Sequence, residues 1–224
     1  MSERLNKYLA FQLGVSRREA DNSIAAGHVK VNGVPAILGG RFEEGDDITF
    51  KGKSFEKRMA YTYVILNKPI GYVSSRRQVG EAPTLYSLLP EQYHNLKPVG
   101  RLDKDSSGLL LLTDDGDFAY NMTHPKFYKV KTYEVSLDTD LQPLHQQMIS
   151  DFGVTLEDGP SKLSLEKRDN AKDWLVTMHE GRNRQIRRTF SSLGYTVTDL
   201  HRISFGNYTL EDLKAGDFKE TSKS

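Results

Sequence analysis

A carboxylate in a polar loop, followed at once by an apolar run, is the strongest chemical feature of this sequence. The segment G-R-L-D-K-D-S-S-G covers residues 100–108, and leucines occupy every position from 109 to 112. The leucine run predicts a strand buried on both faces. A carboxylate beside such a rigid strand is held in place yet can reach a cleft. Asp103 is therefore the candidate catalytic residue, and the alternative is an aspartate that only caps a turn.

A second group of candidates is basic. The ten residues 179–188 contain four arginines and one glutamate. Local segregation of charge suits contacts with phosphate, whereas scattered charges mainly keep a protein soluble. In the predicted helix at 183–193, the buried stripe comprises Ile186, Phe190 and Leu193. Arg187 follows Ile186 directly, so it lies at the edge of that stripe and can point into a cleft.

The composition excludes several kinds of site. The 224 residues include no cysteine, which removes disulfides, thiolate catalysis and cysteine metal sites together. His124 and His179 show no metal-ligand spacing, and we expect neither a metal nor a cofactor. The sequence has no apolar run long enough to span a bilayer and no secretory signal, so we expect a cytoplasmic protein without a membrane partner.

The elements predicted for residues 1–50 are two short helices followed by a hairpin. Gly14 ends the first helix, and the sequence S-R-R-E at 16–19 is a capping box before the second. The sequence N-G at 32–33 is a strong signal for a two-residue hairpin turn. These elements form a small first domain.

Residues 51–59 are polar and predict a linker to a second domain at 60–224. The predicted strands of this domain are 61–66, 109–112, 131–137 and 174–178. Its predicted helices are 118–122, 142–150 and 183–193. Strands and helices do not alternate strictly, so we expect an α+β fold around a mixed, mainly antiparallel sheet.

Three segments of the first domain carry a family resemblance. They are R-L-N-K at 4–7, S-R-R-E-A at 16–20 and G-H-V-K-V-N-G at 27–33. Together they resemble the small alpha-L RNA-binding domain, which occurs on many RNA-modifying enzymes. The resemblance implies RNA contacts by Arg4, Lys7, Arg17, Arg18 and Lys30. The alternative is a helical cap whose lysines and arginines are merely solvated.

Four segments, in order, carry a second resemblance. They are N-K-P-I-G at 67–71, G-R-L-D-K-D-S-S-G-L-L at 100–110, K-T-Y-E-V at 131–135 and E-G-R-N-R-Q-I-R-R at 180–188. They resemble the motifs of the bacterial pseudouridine synthases that act on small-subunit or large-subunit ribosomal RNA. The match covers about residues 3–218. Thr189 departs from the methionine or leucine usual in that family, which we expect to affect helix packing only.

This resemblance implies an RNA isomerase with a pseudouridine synthase domain behind the alpha-L module. It implies that Asp103 is the nucleophile, that Arg187 pairs with it, and that Tyr133 stacks on the target base. The reaction breaks the N1–C1′ bond of uridine and joins C5 to C1′, which requires no metal or cofactor. An always-charged arginine favours an ionised carboxylate beside it. Stacking of the flipped base is worth roughly 1–3 kcal/mol, and the Tyr133 hydroxyl is a candidate base for the C5 proton.

The resemblance also predicts further RNA contacts and the partner. In the second domain we expect contacts from Lys68, Arg101, Lys131, Arg182 and Arg184. An alternative interpretation of Lys68 and Lys131 is that they only close the sheet. The expected partner is structured ribosomal RNA or a ribosome-assembly intermediate, bound by a monomer. The segments R-N-R at 182–184 and H-P-K at 124–126 favour the large subunit, whereas the short chain leaves the small subunit open.

Two other functions fit parts of the sequence. A divalent-metal cluster for phosphodiester hydrolysis could use Asp103, Asp105, Asp114, Asp115 and Asp117. At about 3.3 Å per residue, however, the strand at 109–113 places the last three aspartates at its end opposite Asp103. The other function is a non-catalytic RNA-binding or ribosome-assembly protein that uses only the first domain. In that case Asp103→Asn would function like the wild type.

Overall fold

Two structural units divide the chain, Met1–Thr62 and Tyr63–Ser224. The computed structural model describes residues 2–54, 58–78 and 80–224. The predicted linker at 51–59 lies partly outside the described residues. Among those residues, no helix combines the length and the apolar character needed to cross a membrane.

The described residues of the first unit form two helices and five short strands. The helices are α1 (Leu5–Leu13) and α2 (Arg17–Ala25). The strands are β1 (Glu3–Arg4), β2 (Val29–Val31), β3 (Val34–Pro35), β4 (Arg41–Phe42) and β5 (Ile48–Phe50). Strand β1 pairs with β4, and β2 lies between β3 and β5, all antiparallel. A small core joins the helices to the sheet and includes Leu5, Leu9, Ala20, Ile24, Val29 and Ile48.

The predicted turn and cap residues of this unit are confirmed. Gly14 has a φ of 66° and ends α1 in the left-handed conformation. Ser16 Oγ accepts from Glu19 N at 3.2 Å, while Ser16 N donates to Glu19 Oε2 at 2.7 Å, which are the two bonds of a capping box. Asn32 and Gly33 have φ values of 51° and 80°, as the hairpin turn between β2 and β3 requires.

The second unit is built on one large sheet. Its first strands are β6 (Tyr63–Lys68), β7 (Lys97–Val99), β8 (Ser107–Thr113) and β9 (Lys131–Leu137). The later strands are β10 (Val154–Leu156), β11 (Gly159–Ser161), β12 (Ser164–Lys167), β13 (Asp173–Met178), β14 (Val197–Phe205), β15 (Tyr208–Thr209) and β16 (Phe218–Thr221). The α-helices are α3 (Gly116–Thr123), α4 (Pro143–Gln147) and α5 (Gln185–Ser191). Short 3-10 helices span Leu85–Leu88, Glu91–Tyr93 and Pro125–Phe127.

The strand order of the large sheet is β12-β13-β9-β14-β8-β6-β16, with β15 paired to β14 and β7 paired to β8. Strands β8 and β14 are parallel, and the other strand pairs are antiparallel. This arrangement confirms the predicted α+β fold with a mixed, mainly antiparallel sheet. It also places β8, which follows the Asp103 loop, between β14 and β6 at the centre of the sheet.

The four leucines of β8 are buried on both faces of the sheet, as predicted. Leu110 and Leu112 belong to the larger core, together with Tyr133 and Phe190. Leu109 and Leu111 pack into a second core on the other face. Because successive side chains of a strand point to opposite faces, a run of apolar residues is what a strand between two cores requires.

Gly108 lets the backbones of β8 and β14 approach closely. It pairs with Arg202 and has a φ of +106°. A β-carbon at this position would lie 2.3 Å from Arg202 O and 2.5 Å from Arg202 N. Any side chain would therefore force the two strands apart, and the glycine fixes where the Asp103 loop enters the sheet.

Two helices differ from their predictions. The helix predicted at 142–150 is α-helical over Pro143–Gln147 and continues as a π-helix over Met148–Phe152. The helix predicted at 183–193 begins at Gln185, because Arg184 has a left-handed φ of 48°. Sequence periodicity does not distinguish a π turn from an α turn, nor does it reveal a left-handed arginine.

Candidate active site

The loop before β8 presents Asp103 while the backbone is fixed on both sides. Ser74 Oγ donates to Leu102 O at 2.8 Å and accepts from Leu102 N at 3.2 Å. Ser106 N donates to Asp103 O at 3.1 Å. The side chain of Asp103 is 36% exposed. These bonds hold the loop through its backbone atoms, so the Asp103 carboxylate stays available for chemistry. This favours the catalytic interpretation of Asp103 over the turn-capping one.

The cleft beside Asp103 has a volume of about 420 Å³. Its lining combines loop, strand and helix residues, among them Asp103, Lys131, Tyr133, Ile186, Arg202 and Phe205. A largely apolar wall with a few converging polar groups is typical of a site for a small organic ligand. Asp103 and Tyr133, two of the three predicted catalytic residues, therefore share one cleft.

The predicted pairing of Arg187 with Asp103 is not what the structure shows. Arg187 Nε lies 3.4 Å from Asp105 Oδ2, and its Nη atoms donate to Asp105 O and Val197 O, each at 2.7 Å. Among the described residues, the ion pair to Asp103 comes from Arg184, whose Nη1 lies 3.6 Å from Oδ2. The side chain of Arg187 is only 13% exposed and is occupied by β14 and the loop backbone. Arg187 therefore positions the loop from behind.

Arg184 joins the two aspartates of the loop. It donates to Asp105 through both Nη atoms, at 2.9 Å and 2.7 Å, besides its approach to Asp103. This hydrogen bonding holds the pKa of the Asp105 carboxyl below its usual value, and the nearby charge of Arg187 adds to the effect. Asp105 is therefore an anchor for arginines, and Asp103 has the freer carboxylate.

Tyr133 forms one wall of the cleft, and a buried arginine lies opposite it in the sheet. Tyr133 pairs with Arg202 across β9 and β14 and is itself almost fully buried. The Arg202 guanidinium carbon lies 6.0 Å from the Tyr133 ring centroid and 5.1 Å from that of Phe205. Its Nε donates to Leu109 O at 2.7 Å. Sequence reasoning missed Arg202, although an arginine between Leu200 and Ile203 in a β-rich stretch is a signal worth weighing.

Lys68, predicted to contact RNA, is completely buried at the end of β6 and is not accessible to phosphate in this structure. Its Nζ donates to Pro69 O at 2.9 Å. Burial lowers the pKa of Lys68 to about 8, against the opposing attraction of Asp103 and Asp105. Its alternative role, closing the sheet, is the one the structure favours.

We expect Lys68→Met to stabilise the second unit in a pH-dependent way. Because the pKa of Lys68 is lowered to about 8, the unfolded chain holds a proton that the folded chain releases between about pH 8 and 10.5. Stability therefore rises through that window, and the full cost of the buried ammonium is present below pH 8. That cost is on the order of 3 kcal/mol. The variant should be more stable than wild type at pH 7, and most of that difference should be gone at pH 10.

Urea unfolding followed by the fluorescence of Trp174 measures this difference, since Trp174 is the only tryptophan and lies in β13. Lys167→Met, on the exposed part of β12, is the matched control and should change little at either pH. A stability difference for Lys68→Met that is the same at pH 7 and pH 10 would contradict the expectation.

Lys131 is a cleft residue, as its predicted RNA contact requires. Burial, together with repulsion by Arg202, lowers the pKa of Lys131 to about 8. Its Nζ lies 3.5 Å from His179 O, 3.4 Å from Glu180 O and 5.1 Å from the centroid of the Phe205 ring. Two cations, the half-buried Lys131 and the buried Arg202, therefore line the same cleft as Asp103.

Arg182, also predicted to contact RNA, is bonded within the chain. Its Nη1 donates to Asp158 Oδ1 at 2.8 Å and to Gly159 O at 3.1 Å, and its Nη2 donates to Pro160 O at 2.7 Å. These bonds hold the turn between β10 and β11 and leave little of the guanidinium for phosphate. Arg101, by contrast, is exposed at the rim of the cleft, where the predicted contact is available.

The basic candidates of the first unit lie on its surface. Arg4, Arg17, Arg18 and Lys30 are exposed, and Lys7 is half-buried with an ion pair to Glu3 at 3.7 Å. Arg17 and Arg18 occupy the first turn of α2, where the helix dipole disfavours cations. Two cations at this position do not stabilise the helix itself. They favour the interpretation as a surface that binds an anionic ligand over the interpretation as a solvated helical cap.

The aspartates of the rival metal cluster are separated by β8. Asp115 follows the strand, and its Oδ1 accepts from Asp117 N and Phe118 N at the start of α3, each at 3.0 Å. Asp103 precedes the same strand. Within the described residues, no group of three or more histidines and carboxylates is placed to hold a metal ion.

Comparison with protein families gives two matches. The model of the RNA pseudouridylate synthases matches residues 62–192. The model of the S4 domain matches residues 3–48. Both of the resemblances noted in the sequence are therefore found by comparison as well.

Whole-chain relatives and a solved structure are also similar. The chain is 37% identical to a ribosomal large subunit pseudouridine synthase B of Bacillus subtilis (strain 168), covering 97% of this chain and 91% of the relative. It is 34% identical to a ribosomal small subunit pseudouridine synthase A of Yersinia pestis, covering 96% and 93%. A crystal structure of a pseudouridylate synthase superposes with a TM-score of 0.70 at 32% identity, covering 98% of this chain and 96% of that one.

Proposed function

The chain belongs to the RNA pseudouridylate synthase family, whose members are RNA isomerases, and we propose that it converts one uridine of ribosomal RNA to pseudouridine with Asp103 as nucleophile. One observation carries the proposal: the Asp103 carboxylate is presented by a fixed loop to a cleft walled by Tyr133. The ribosomal substrate is inferred from the names of the relatives.

The cleft residues have different roles in the proposed reaction. The N1–C1′ bond breaks, the uracil turns, C5 bonds to C1′, and the proton on C5 is finally transferred to N1 through a base and solvent. Asp103 supplies the nucleophile, and Tyr133 stacks on the flipped base, with its hydroxyl as the proton acceptor. A carboxylate placed here serves attack at C6, attack at C1′ or elimination to a glycal equally well.

The two arginines that contact the loop act on Asp103 in different ways. Arg184 places its guanidinium 3.6 Å from the carboxylate and balances its charge. Arg187 is a positioning residue, because it binds the backbone carbonyl two residues further along the loop. Together they hold the Asp103 loop and a positive charge beside the cleft.

RNA binding is shared between the units in this proposal. Residues 1–50 act as the RNA-binding domain, residues 51–59 as the linker and residues 60–224 as the catalytic domain, in agreement with the S4 match at 3–48. Phosphate contacts come from the exposed basic residues of the first unit and from Arg101 and Lys131 at the cleft. The protein acts as a monomer.

We assign the target to the large ribosomal subunit. The R-N-R segment at 182–184 and the H-P-K segment at 124–126 support this choice. Sequence identity does not separate the two subunits, since a large-subunit relative is 37% identical and a small-subunit relative is 36% identical. The small subunit is the alternative outcome of the experiment that follows.

Chemical mapping of pseudouridines across ribosomal RNA from cells that lack this gene tests the proposal. We expect one uridine of the large-subunit RNA to lose its modification and to regain it when the wild-type gene is returned. Loss of a small-subunit uridine would keep the chemistry and correct the target. A map unchanged by the deletion would reject ribosomal RNA as the substrate and favour the non-catalytic binding role.

A further inference from the structure

An exposed segment rich in aromatic and basic residues connects α3 to β9. Residues 124–130 read H-P-K-F-Y-K-V, and none of them is fully buried. Tyr128 is 74% exposed, and its backbone has the left-handed φ of 48° and ψ of 43°. This conformation ends the short 3-10 helix Pro125–Phe127, and it is uncommon for an aromatic residue.

The segment holds Tyr128 in place although the ring itself projects outward. Tyr128 N donates to Pro125 O at 3.1 Å, and Phe127 N donates to His124 O at 3.1 Å. Beneath them, the ring centroid of Tyr120 lies 4.8 Å from that of His124 and 5.9 Å from that of Phe127. Within the described part of the chain, no aromatic ring packs on Tyr128. The result is a preorganised aromatic face that is open to a partner.

A groove beside Tyr128 is rich in cations. It has a volume of about 550 Å³, and its lining includes Lys126, Tyr128 and Lys162. Its single lining carboxylate, Glu180, is occupied, because it accepts from Gln185 Nε2 and lies 3.4 Å from Arg182 Nη2. Lys162 Nζ donates to Asp151 O at 2.9 Å, and Lys126 Nζ lies 4.7 Å from the Phe127 ring centroid. Each ammonium has three N–H donors, so both can also contact an anionic, planar partner beside the Tyr128 ring.

This groove adjoins the catalytic cleft. The two share Pro125, Met178, His179 and Glu180 among their lining residues. A strand of RNA that places one base against Tyr133 can therefore continue directly into the groove beside Tyr128.

We propose that the groove binds a second, unpaired nucleotide of the RNA substrate, next to the target uridine. Its base stacks on Tyr128, and its phosphate lies against Lys126 and Lys162. This site depends on the proposed function, because that function identifies the substrate as RNA. It extends that function by predicting that the target uridine has an unpaired neighbour, because a base held in a duplex cannot reach Tyr128.

The charge of the groove favours RNA over a protein partner. Protein interfaces are depleted of lysine at their centres, whereas sites for single-stranded nucleic acid combine cations with stacking rings. Packing does not explain the tyrosine side chain at position 128, because an exposed ring buries little surface.

Two RNA hairpins and the full-length protein test the proposal. The loop of the first hairpin holds one uridine next to 2-aminopurine, whose fluorescence is quenched by stacking, and the second replaces the 2-aminopurine with an abasic site. Tyr128→Asn removes the ring while keeping a residue that tolerates the left-handed backbone. Tyr128→Phe keeps the ring. Lys126→Ala with Lys162→Ala removes the proposed phosphate contacts, and Lys167→Ala is their exposed control on β12.

Wild type and Tyr128→Phe should quench the 2-aminopurine and bind the first hairpin about tenfold more tightly than the abasic one. Tyr128→Asn should lose the quenching and bind both hairpins equally. The double lysine variant should make the salt dependence of binding shallower, by about 0.7 in the logarithmic slope per phosphate lost, whereas Lys167→Ala should not. Equal affinity of the wild type for the two hairpins, or unchanged quenching by Tyr128→Asn, would overturn the proposal.

These measurements do not require turnover, so the two proposals fail separately. A wild type that binds and quenches but modifies no ribosomal RNA would remove the proposed function and retain the nucleotide site. If the wild type modifies ribosomal RNA but the quenching of 2-aminopurine does not depend on Tyr128, the proposed function stands and the nucleotide site is rejected.

Discussion

Asp103→Asn is expected to lower the rate of pseudouridine formation by about 10³-fold or more while RNA affinity stays within about twofold of wild type. Asparagine has nearly the shape of aspartate but cannot ionise, so the nucleophile is lost and the loop is kept. The backbone bonds that fix the loop come from Ser74 and Ser106, and neither involves the Asp103 carboxylate. The phosphate contacts proposed for binding lie elsewhere, on the first unit and at Arg101 and Lys131.

Single-turnover modification of ribosomal RNA transcripts, together with filter binding, measures both quantities on the same preparations. Asp199→Asn, an exposed aspartate of β14, is the matched control and should be fully active. Asp105→Asn gives a second comparison, since it weakens the bonds from Arg184 but keeps the backbone bonds of Arg187 and the nucleophile, and its loss of rate should be smaller. Equal loss of binding and activity in Asp103→Asn would contradict the assignment of Asp103 as nucleophile.

Gly108→Ala is expected to destabilise the second unit by roughly 3 kcal/mol or more. The added β-carbon would lie 2.3 Å from Arg202 O, and the φ of +106° is strained for alanine. Backbone cannot move aside as a flexible side chain can, so β8 and β14 must separate where they pair. Arg202 would then leave its position opposite Tyr133, and the shape of the cleft would change with it.

Urea unfolding monitored by Trp174 fluorescence reports on this unit directly. Gly116→Ala is the matched control, because a β-carbon on Gly116 at the start of α3 meets nothing within 4 Å. It should leave stability unchanged or slightly raised, as alanine is the better helix former. If Gly108→Ala and Gly116→Ala unfold at the same urea concentration, the close approach of β8 and β14 is not a constraint in solution.

Local features of the fold could be predicted from the sequence because their causes are local. The capping box at Ser16, the turn at Gly33 and the buried leucine strand each depend on residues within a few positions of one another. The sheet class also followed, since the predicted strands and helices do not alternate as a parallel fold requires.

The electrostatics of the site could not be predicted in the same way. The partner of Asp103 depends on the left-handed backbone of Arg184 and on the depth at which Arg187 lies, both set by packing between distant segments. Lys68 stands in a polar-looking stretch, yet the strands on both sides of it make it one of the most buried residues of the chain. Arg202 faces the cleft only because β14 inserts between β9 and β8.

The insertion of β14 between β9 and β8 also determines when a newly synthesised chain can become catalytically active. Ser107 and His201, 94 positions apart, meet where β8 and β14 pair, and β16 near the end of the chain covers β6. Contacts of such large sequence separation close late and slowly in folding. Arg202 and Phe205, which β14 contributes to the cleft beside Tyr133, are therefore not in place until β14 has been synthesised and inserted. A partly synthesised chain can form the first unit, and so can hold RNA, well before it can act on a uridine.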